Sequence, residues 1–365
     1  MRITAVEPII VEVPTREPVK GVHGVTSVQR SVLVRLATDR DVVGWGNVDP
    51  SPGYTLMSAN EIHAAIRSLA PVLAGQDVMN LTVALATMDR ALTNAYEAKA
   101  AIEMALCDAK ARVLGIPVHV LLGGAARSEI PLNAWIGTVP PEQAAAEALI
   151  WLERGFRSAK IKLDGADPAG IQRVAAVRDA VGSRMALRVD FNESLPMADA
   201  ISFIRQLEPY DLTLVEQPLA RDRIADMAVV RRGIGIKLMA DESVVGPASL
   251  IDIIRREAAD IVKVKVMKQG GLTPTIEMVQ IAAAAGLGVV IGHGFGLTLS
   301  TLAEATVAAV CPAVLDGCEA VGPLKMAADI VDEPAVLDRG VIRLGNRPGF
   351  GVEIDPRALA RVRGM

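Results

Sequence analysis

The chain is poor in aromatic residues: Phe, Trp and Tyr make up 3% of its 365 positions. Platforms that stack single-stranded nucleic acid need more of them. No basic stripe or block stands out and the formal net charge is −4, so a polyanion finds no electrostatic footprint. Cysteine is scarce as well. Cys107, Cys311 and Cys318 form an odd set without paired spacing, which argues against a disulfide framework or a zinc site and suits reduced thiols. Long apolar runs are missing: the longest, 281–291, contains Gly286 and Gly288 and is too short to span a bilayer. The opening "MRITAVEPIIVEVP" alternates like a strand, is interrupted by Glu7 and Glu12, and lacks the apolar core and cleavage site of a signal peptide. A cytoplasmic protein with neither a nucleic-acid nor a membrane partner is expected.

What is present is a large apolar reserve, 51% of residues, with 22% charged, as a sizeable buried core requires. Two textures divide it. Residues 1–125 look α+β. Residues 3–13 alternate, 31–47 read as two strands turning near Asp39-Arg40-Asp41, and helices follow near 58–74, 80–92 and 95–114, the last stopping at Gly115 before Pro117. Residues 15–30 and 49–57 are rich in Gly, Pro, Ser or Thr and read as loops of the kind that form lids. From about 126 to 324, eight short β-branched runs alternate with Ala-rich helical stretches: "PLNAWIG", "AKIKL", "ALRVDF", "LTLVE", "IKLMA", "DIVKVKV", "GVVIG" and "VLDGCE". The tail, about 325–365, carries a strand-like "GVIRLG" and a short basic helix, and is expected to rejoin the N-terminal part.

Lys162, Asp190, Glu216, Asp241, Lys265, His293 and Glu319 end successive runs, at intervals of 28, 26, 25, 24, 28 and 26 residues. A period of roughly 26 is what one strand, one helix and two loops need. Eight such units predict a (β/α)₈-type barrel, whose functional groups come from the C-terminal ends of its strands. A doubly wound open sheet is the alternative, but no Gly-x-Gly-x-x-Gly follows the first strand.

Asp190, Glu216 and Asp241 would converge from neighbouring strands. Three such carboxylates repel unless a cation lies between them, and an oxygen-only set suits a hard ion, Mg²⁺ above all. Glu242 and Asn192 stand beside them. In "SAKIKLDG", Lys160 and Lys162 share a strand face, as do Lys263 and Lys265, so both pairs would point into the barrel from opposite walls. Lysine is almost never buried without a reason. Here one ammonium, Lys160, would lower the proton affinity of the next, Lys162, and touch substrate, leaving Lys162 and Lys265 as bases beside a metal. That equipment suits removal of a proton next to a carboxylate.

With these residues, the chain resembles the enolase superfamily and, within it, the muconate-lactonizing (muconate cycloisomerase) subgroup. The resemblance runs over "AKAAIEMALCDAKARVLGIPVHVLLGG", "KIK", "RVDFN", "VEQP", "ADES", "KVMKQGG" and "CEAVGPL". It implies an α+β capping domain over a modified (β/α)₇β barrel. It also implies Mg²⁺ (with Mn²⁺ as a substitute) at Asp190, Glu216 and Asp241, and acid–base lysines at Lys162 and Lys265. Cap loops closing over a small carboxylate substrate and a homo-oligomeric assembly follow from it too. Mandelate-racemase-like members carry Asp where this chain has Lys265, so His293 lacks that partner and is left as a substrate-binding or loop-capping residue. Where muconate-lactonizing enzymes carry a glutamate, this chain has Gly296 within "IGHGFGLT", which points away from muconate. "DGCEAVG" lacks the Asp-x-Asp of dipeptide epimerases, and Glu319 is left to hydrogen-bond substrate. A racemase or epimerase is the leading expectation. A cycloisomerase, a hydroxy-acid dehydratase and a non-catalytic metal-binding relative are the alternatives.

Overall fold

The alternating N-terminal residues form a long antiparallel pair in the computed structural model, which describes residues 1–21 and 24–363. Strand β1 (Ile3–Gly21) pairs with β2 (Gly24–Thr38), and β2 with β3 (Val43–Val48). Because side chains alternate between faces, β2 serves two cores. Val32, Val34 and Leu36 pack with Ile62, Ile66 and Leu69 of α1 (Ala59–Leu73) and Ala98, Ala101 and Ala105 of α3 (Tyr96–Leu114); α2 is Leu81–Ala91. Leu33, with Ile9, Val11 and Val13 of β1, faces the second domain instead. Gly44 and Gly46 let β3 lie directly on α3, since a Cβ at either would collide with the carbonyl oxygen of Ala105 or Ala101.

The stretch 15–30 corrects the sequence expectation. Apart from Val22 and His23, which lie outside the described residues, it is the far end of the β1–β2 hairpin rather than a loop. Pro14 and Pro18 are tolerated because the register shifts between Pro14 and Val19, where ladder bonds are interrupted.

After a short strand β4 (Glu129–Pro131), seven parallel strands form the second domain's sheet: β5 (Ala134–Ile136), β6 (Ser158–Lys162), β7 (Ala186–Asp190), β8 (Leu212–Glu216), β9 (Leu238–Ala240), β10 (Ile261–Val264) and β11 (Gly288–Ile291). The eighth run closes the curl between β11 and β5. Leu315 N donates to Val289 O at 2.8 Å, Glu319 N to Ile291 O at 3.0 Å, and Asn133 N to Cys318 O at 2.7 Å. It is not a regular strand, because Gly317 turns it with φ of 84° and its carbonyl accepts from the buried Arg188 guanidinium at 3.1 Å. The capped (β/α)₇β barrel is therefore the architecture. The tail divides: residues 341–343 pair with 129–131 beside the barrel, while the helix Pro356–Val362 packs on β1.

Inside the barrel, chemistry changes with height. Leu214, Met239, Ile261 and Val290 form a small apolar floor. Two residues further along three of those strands come Glu216, Asp241 and Lys263, on the same inward face. The barrel is apolar at its base and ionic at its C-terminal mouth.

Candidate active site

Register sets the first row of the mouth. Lys162 pairs with Asp190, and Asp190 with Glu216, so the three side chains stand abreast on β6, β7 and β8. Asp241 lies just past β9, Lys265 just past β10, His293 past β11, and Glu319 on the closing segment. Lys160 and Arg188 form the row beneath. Lys162 belongs to the second barrel strand and Lys265 to the sixth, which face each other across the opening.

Each acid meets lysine. Lys162 Nζ is 2.6 Å from Asp190 Oδ2 and also donates to Asn192 Oδ1. On the other wall, Lys265 Nζ is 3.0 Å from Asp241 Oδ2, and Lys268 Nζ is 2.7 Å from Asp241 Oδ1. Lys160 lies 2.6 Å from Glu319, 3.0 Å from Asp190 and 3.2 Å from Glu216. Lys263, only 1% exposed, is 2.8 Å from Glu216 and 2.5 Å from Glu319. Asn192 Nδ2 donates to Glu242 Oε1 at 2.8 Å. Among the described residues, no three Asp, Glu, His or Cys groups are arranged as a metal cage, because the acid oxygens are turned toward these amines.

These contacts shift proton affinities in readable ways. Burial lowers the Lys265 amine to about 8, helped by Lys263 and Lys268 and opposed by Asp241. Burial works the same way on Lys160, but Asp190, Glu216 and Glu319 outweigh it and raise that amine well above the lysine range. Lys160 is thus a counter-ion to three acids. Burial and the charge of Asp190 push Glu216 up to about 8 despite Lys160 and Lys263. Burial, then Asp241 and Asp190, push Glu242 to about 7. His293 is held neutral, lowered to about 3 by burial, Lys265 and Lys325, and its Nε2 has no partner.

The donor set fits a divalent cation in kind. It is all oxygen, drawn from three neighbouring strand ends, and the buried oxygens Glu242 Oε2 and Glu319 Oε1 lack hydrogen-bond partners. Burial, and after it the charge of Asp190, raise Glu216, and added positive charge there would favour its ionised form. A groove of about 280 Å³ lined by Arg231, Arg232, Lys237 and Asp260 lies at the opposite, N-terminal end of the strands, away from every one of these groups.

Three mouth residues escape a strand-end reading. Tyr54, from the 49–57 segment, donates to Asp241 Oδ1 at 2.7 Å and accepts from Lys265, whose Nζ lies 3.7 Å from the ring centroid. Arg221 holds that segment down through the carbonyls of Gly53 and Tyr54. Lys268 follows Lys265 within "KVMK", on the short helix Val266–Gln269, where i and i+3 side chains share a face. Lys325 reaches in from beyond the closing segment, between Trp135 and Phe295. The first two carried a signal, in the lid-like composition of 49–57 and the spacing of the two lysines.

A lidded barrel with acids and amines facing each other at its mouth defines a class of acid–base enzyme, and comparison with known proteins gives its family. Residues 5–123 match the mandelate racemase/muconate lactonizing enzyme N-terminal domain, and residues 143–358 the enolase C-terminal domain-like family. Muconate cycloisomerase 1 of Rhodococcus opacus is 33% identical, over 98% of both chains. N-succinyl-L-Arg/Lys racemase of Bacillus cereus is 32% identical, over 98% of this chain and 97% of that one. The crystal structure of muconate lactonizing enzyme from Pseudomonas fluorescens, complexed with muconolactone, superposes with a TM-score of 0.96 at 32% identity, covering 99% of each chain. The chain belongs to the enolase superfamily, in its muconate-lactonizing subgroup. Enzymes of this family generally use a divalent metal ion and act on small carboxylates. No helix among the described residues is long and apolar enough to cross a membrane.

Proposed function

We propose that this enzyme racemises or epimerises a small carboxylate or amino-acid derivative by removing the proton alpha to its carboxylate and returning it on the other face. The observation that supports this is the placement of two amines on opposing walls, Lys162 beside Asp190 and Lys265 beside Asp241, with the acids between. An α-carbon held between them presents one face to each. The lysine that is neutral takes the proton from its side, and the protonated lysine opposite delivers one, so the centre inverts. In the reverse direction they exchange roles. Asp190, Glu216 and Asp241 would hold Mg²⁺, or Mn²⁺ in its place, and the bound cation would supply Lewis-acid stabilisation of the enolate charge. Asn192 positions Lys162, while His293 and Glu319 face the substrate. Tyr54 covers Lys265 and has to withdraw for substrate to reach it.

Cycloisomerisation is the second reading, supported by the likeness to muconate cycloisomerase 1 and opposed by Gly296. It needs a proton at only one lysine. Dehydration would expel a β-hydroxyl from the same enolate. Incubation in D₂O with a panel of amino-acid derivatives, hydroxyprolines, betaines and muconates separates the three. Deuterium in both enantiomers marks racemisation, a lactone marks cycloisomerisation, and loss of water marks dehydration. Absence of exchange on every carboxylate would sink the proposal. We further place the enzyme in the cytoplasm as a homo-oligomer. Three buried thiols support the first, and the exposed Val25 and Val28 on the outer arm of β2 support the second.

A further inference from the structure

Lys265 stands where β10 gives way to the short helix Val266–Gln269. Pairing with β11 stops at Val264, so no strand receives the Val266 N–H, and the Lys265 side chain does not cap the helix. Glu304, from the middle of the helix Thr298–Val310, supplies the acceptor: its Oε1 takes the Val266 N–H at 2.9 Å. Both residues are only 2% exposed. The other oxygen of Glu304 has no partner among the described residues, so the carboxyl is buried for the sake of this one backbone bond. Burial raises it to about 8, opposed by the Val266 bond and then by Lys265, Lys268 and Lys263, so at neutral pH it serves those amines as an acceptor and not as a counter-ion.

A peptide unit is planar, so the plane that carries the Val266 N–H also carries the Lys265 carbonyl and begins at the Lys265 Cα. On the carbonyl side it is held by Lys268 N at 2.9 Å and Gln269 N at 3.1 Å. On the N–H side it is held by Glu304 alone. The opposite wall is built differently. There Lys162 ends β6, and the N–H of the next residue, Leu163, still finds a strand carbonyl, donating to Asp190 O at 2.9 Å. The sheet itself therefore aims Lys162, whereas a side chain from a neighbouring helix aims Lys265.

We propose that Glu304 is a positioning residue, which stands in for the missing ladder acceptor beyond β10 and fixes the aim of Lys265, so that proton exchange on one face of the substrate depends on it and exchange on the other does not. The inference rests on the reading of Lys162 and Lys265 as bases on opposite faces of an α-carbon.

The test follows α-proton exchange in D₂O with Mg²⁺, taking the separate D and L forms of the amino-acid derivatives in the panel. The enantiomer that stops exchanging in Lys265→Ala marks the Lys265 face. Glu304→Met keeps the length of the side chain but offers the Val266 N–H no oxygen. It should slow exchange on the Lys265 face by about 10–100-fold, the range of a misplaced catalytic group, in kcat with KM little changed, and leave the other face within about twofold of wild type. Glu304→Gln, whose amide oxygen can accept the same bond, should restore the lost face. Amide hydrogen exchange of the 266–269 segment, read without substrate, should speed up in Glu304→Met and return toward wild type in Glu304→Gln. Thermal midpoints report folding, and Glu304→Ala, a smaller truncation, should show the same asymmetry if the methionine does not fit. Equal loss on both faces, no loss in either truncation, no rescue by glutamine or unchanged amide protection overturns the inference. Exchange of neither enantiomer by the wild-type protein would instead be a failure of the proposed reaction, which the amide measurement tells apart from a failure of the positioning.

Discussion

Two regions of this molecule bury carboxylates completely, and they do so by opposite means. Along α3, Glu97, Glu103 and Asp108 are at most 2% exposed. Glu97 accepts from Leu56 N at 3.1 Å, and Glu103 from Leu272 N at 2.8 Å and Thr273 N at 3.0 Å. Asp108 accepts from Trp45 N at 3.0 Å, Phe350 N at 2.9 Å and Arg112 Nε at 2.9 Å. These acids clamp the lid segment, the start of a barrel helix, β3 and the C-terminal tail onto one helix. At the barrel mouth, Asp190, Glu216 and Asp241 are equally buried but meet mainly lysine side chains. A backbone N–H is a fixed donor that neither leaves nor exchanges its charge state. An amine can swing away, lose its proton and yield its place to substrate. Burial of charge is common to both regions, and the kind of partner separates the clamp from the chemistry.

The largest expected effect breaks that contrast at the mouth. Lys162→Ala or Lys265→Ala should lower α-proton exchange by about 10²–10⁴-fold. Each variant should keep the fold, since its acid retains another lysine: Lys160 at 3.0 Å for Asp190 and Lys268 at 2.7 Å for Asp241. Exchange rates alongside thermal midpoints check it. Wild-type exchange in both variants would show that these amines are counter-ions like Lys160. The clamp should respond the other way. Asp108→Ala strands the backbone N–H groups of Trp45 and Phe350 and removes one of three partners of the Arg112 guanidinium, which keeps Glu353 and the Val352 carbonyl, a loss of about 3 kcal/mol of stability. Folded molecules in the cold should still exchange protons at the normal rate. Urea denaturation with exchange assays on the same preparation reads both.

Much of this was legible from the chain. Strand ends declare themselves because inward residues alternate and the βα unit repeats, so the sequence alone puts Lys162, Asp190, Glu216, Asp241 and Lys265 on one rim. The region 15–30 misled because Pro14, Pro18, Gly21 and Gly24 look like loop punctuation, whereas an edge hairpin with a register shift tolerates them. The eighth run was visible as a strand, but its turn at Gly317 depends on Arg188, a partner 129 residues away. Tyr54 is marked only through the lid-like composition of 49–57, and Lys325 not at all, because it enters the mouth from outside the strand ends by a contact made only on folding.

A third prediction sharpens the comparison through pH. Glu304, 2% exposed, accepts from Val266 N at 2.9 Å with one oxygen, and its other oxygen has no partner. It stands between the two regimes, with one backbone donor and with Lys265, Lys268 and Lys263 close enough to draw its proton affinity down. Burial nonetheless raises it from 4.5 to about 8. The folded chain therefore holds a proton that the unfolded chain releases, and this group's contribution to stability falls as pH rises from about 4.5 to about 8. Glu304→Gln, which cannot ionise, should flatten that part of the curve and gain relative to wild type at the alkaline end. Parallel melting curves across that range check the sign.

The smallest effect comes from the clamp chemistry placed in water. Ser58 and Glu61 form a reciprocal cap at the start of α1, with Ser58 N donating to Glu61 Oε2 at 2.7 Å and Glu61 N to Ser58 Oγ at 3.3 Å. The carboxylate again accepts from the backbone, and those bonds hold its proton affinity below the usual range, yet it is fully exposed. Solvent replaces whatever a substitution removes here, whereas nothing replaces it around Asp108. Glu61→Ala should lower the thermal midpoint by much less than Asp108→Ala and leave exchange untouched. If the two losses matched, the strength of the α3 clamps would owe nothing to their burial, and the contrast between the two regions would rest on partner type alone.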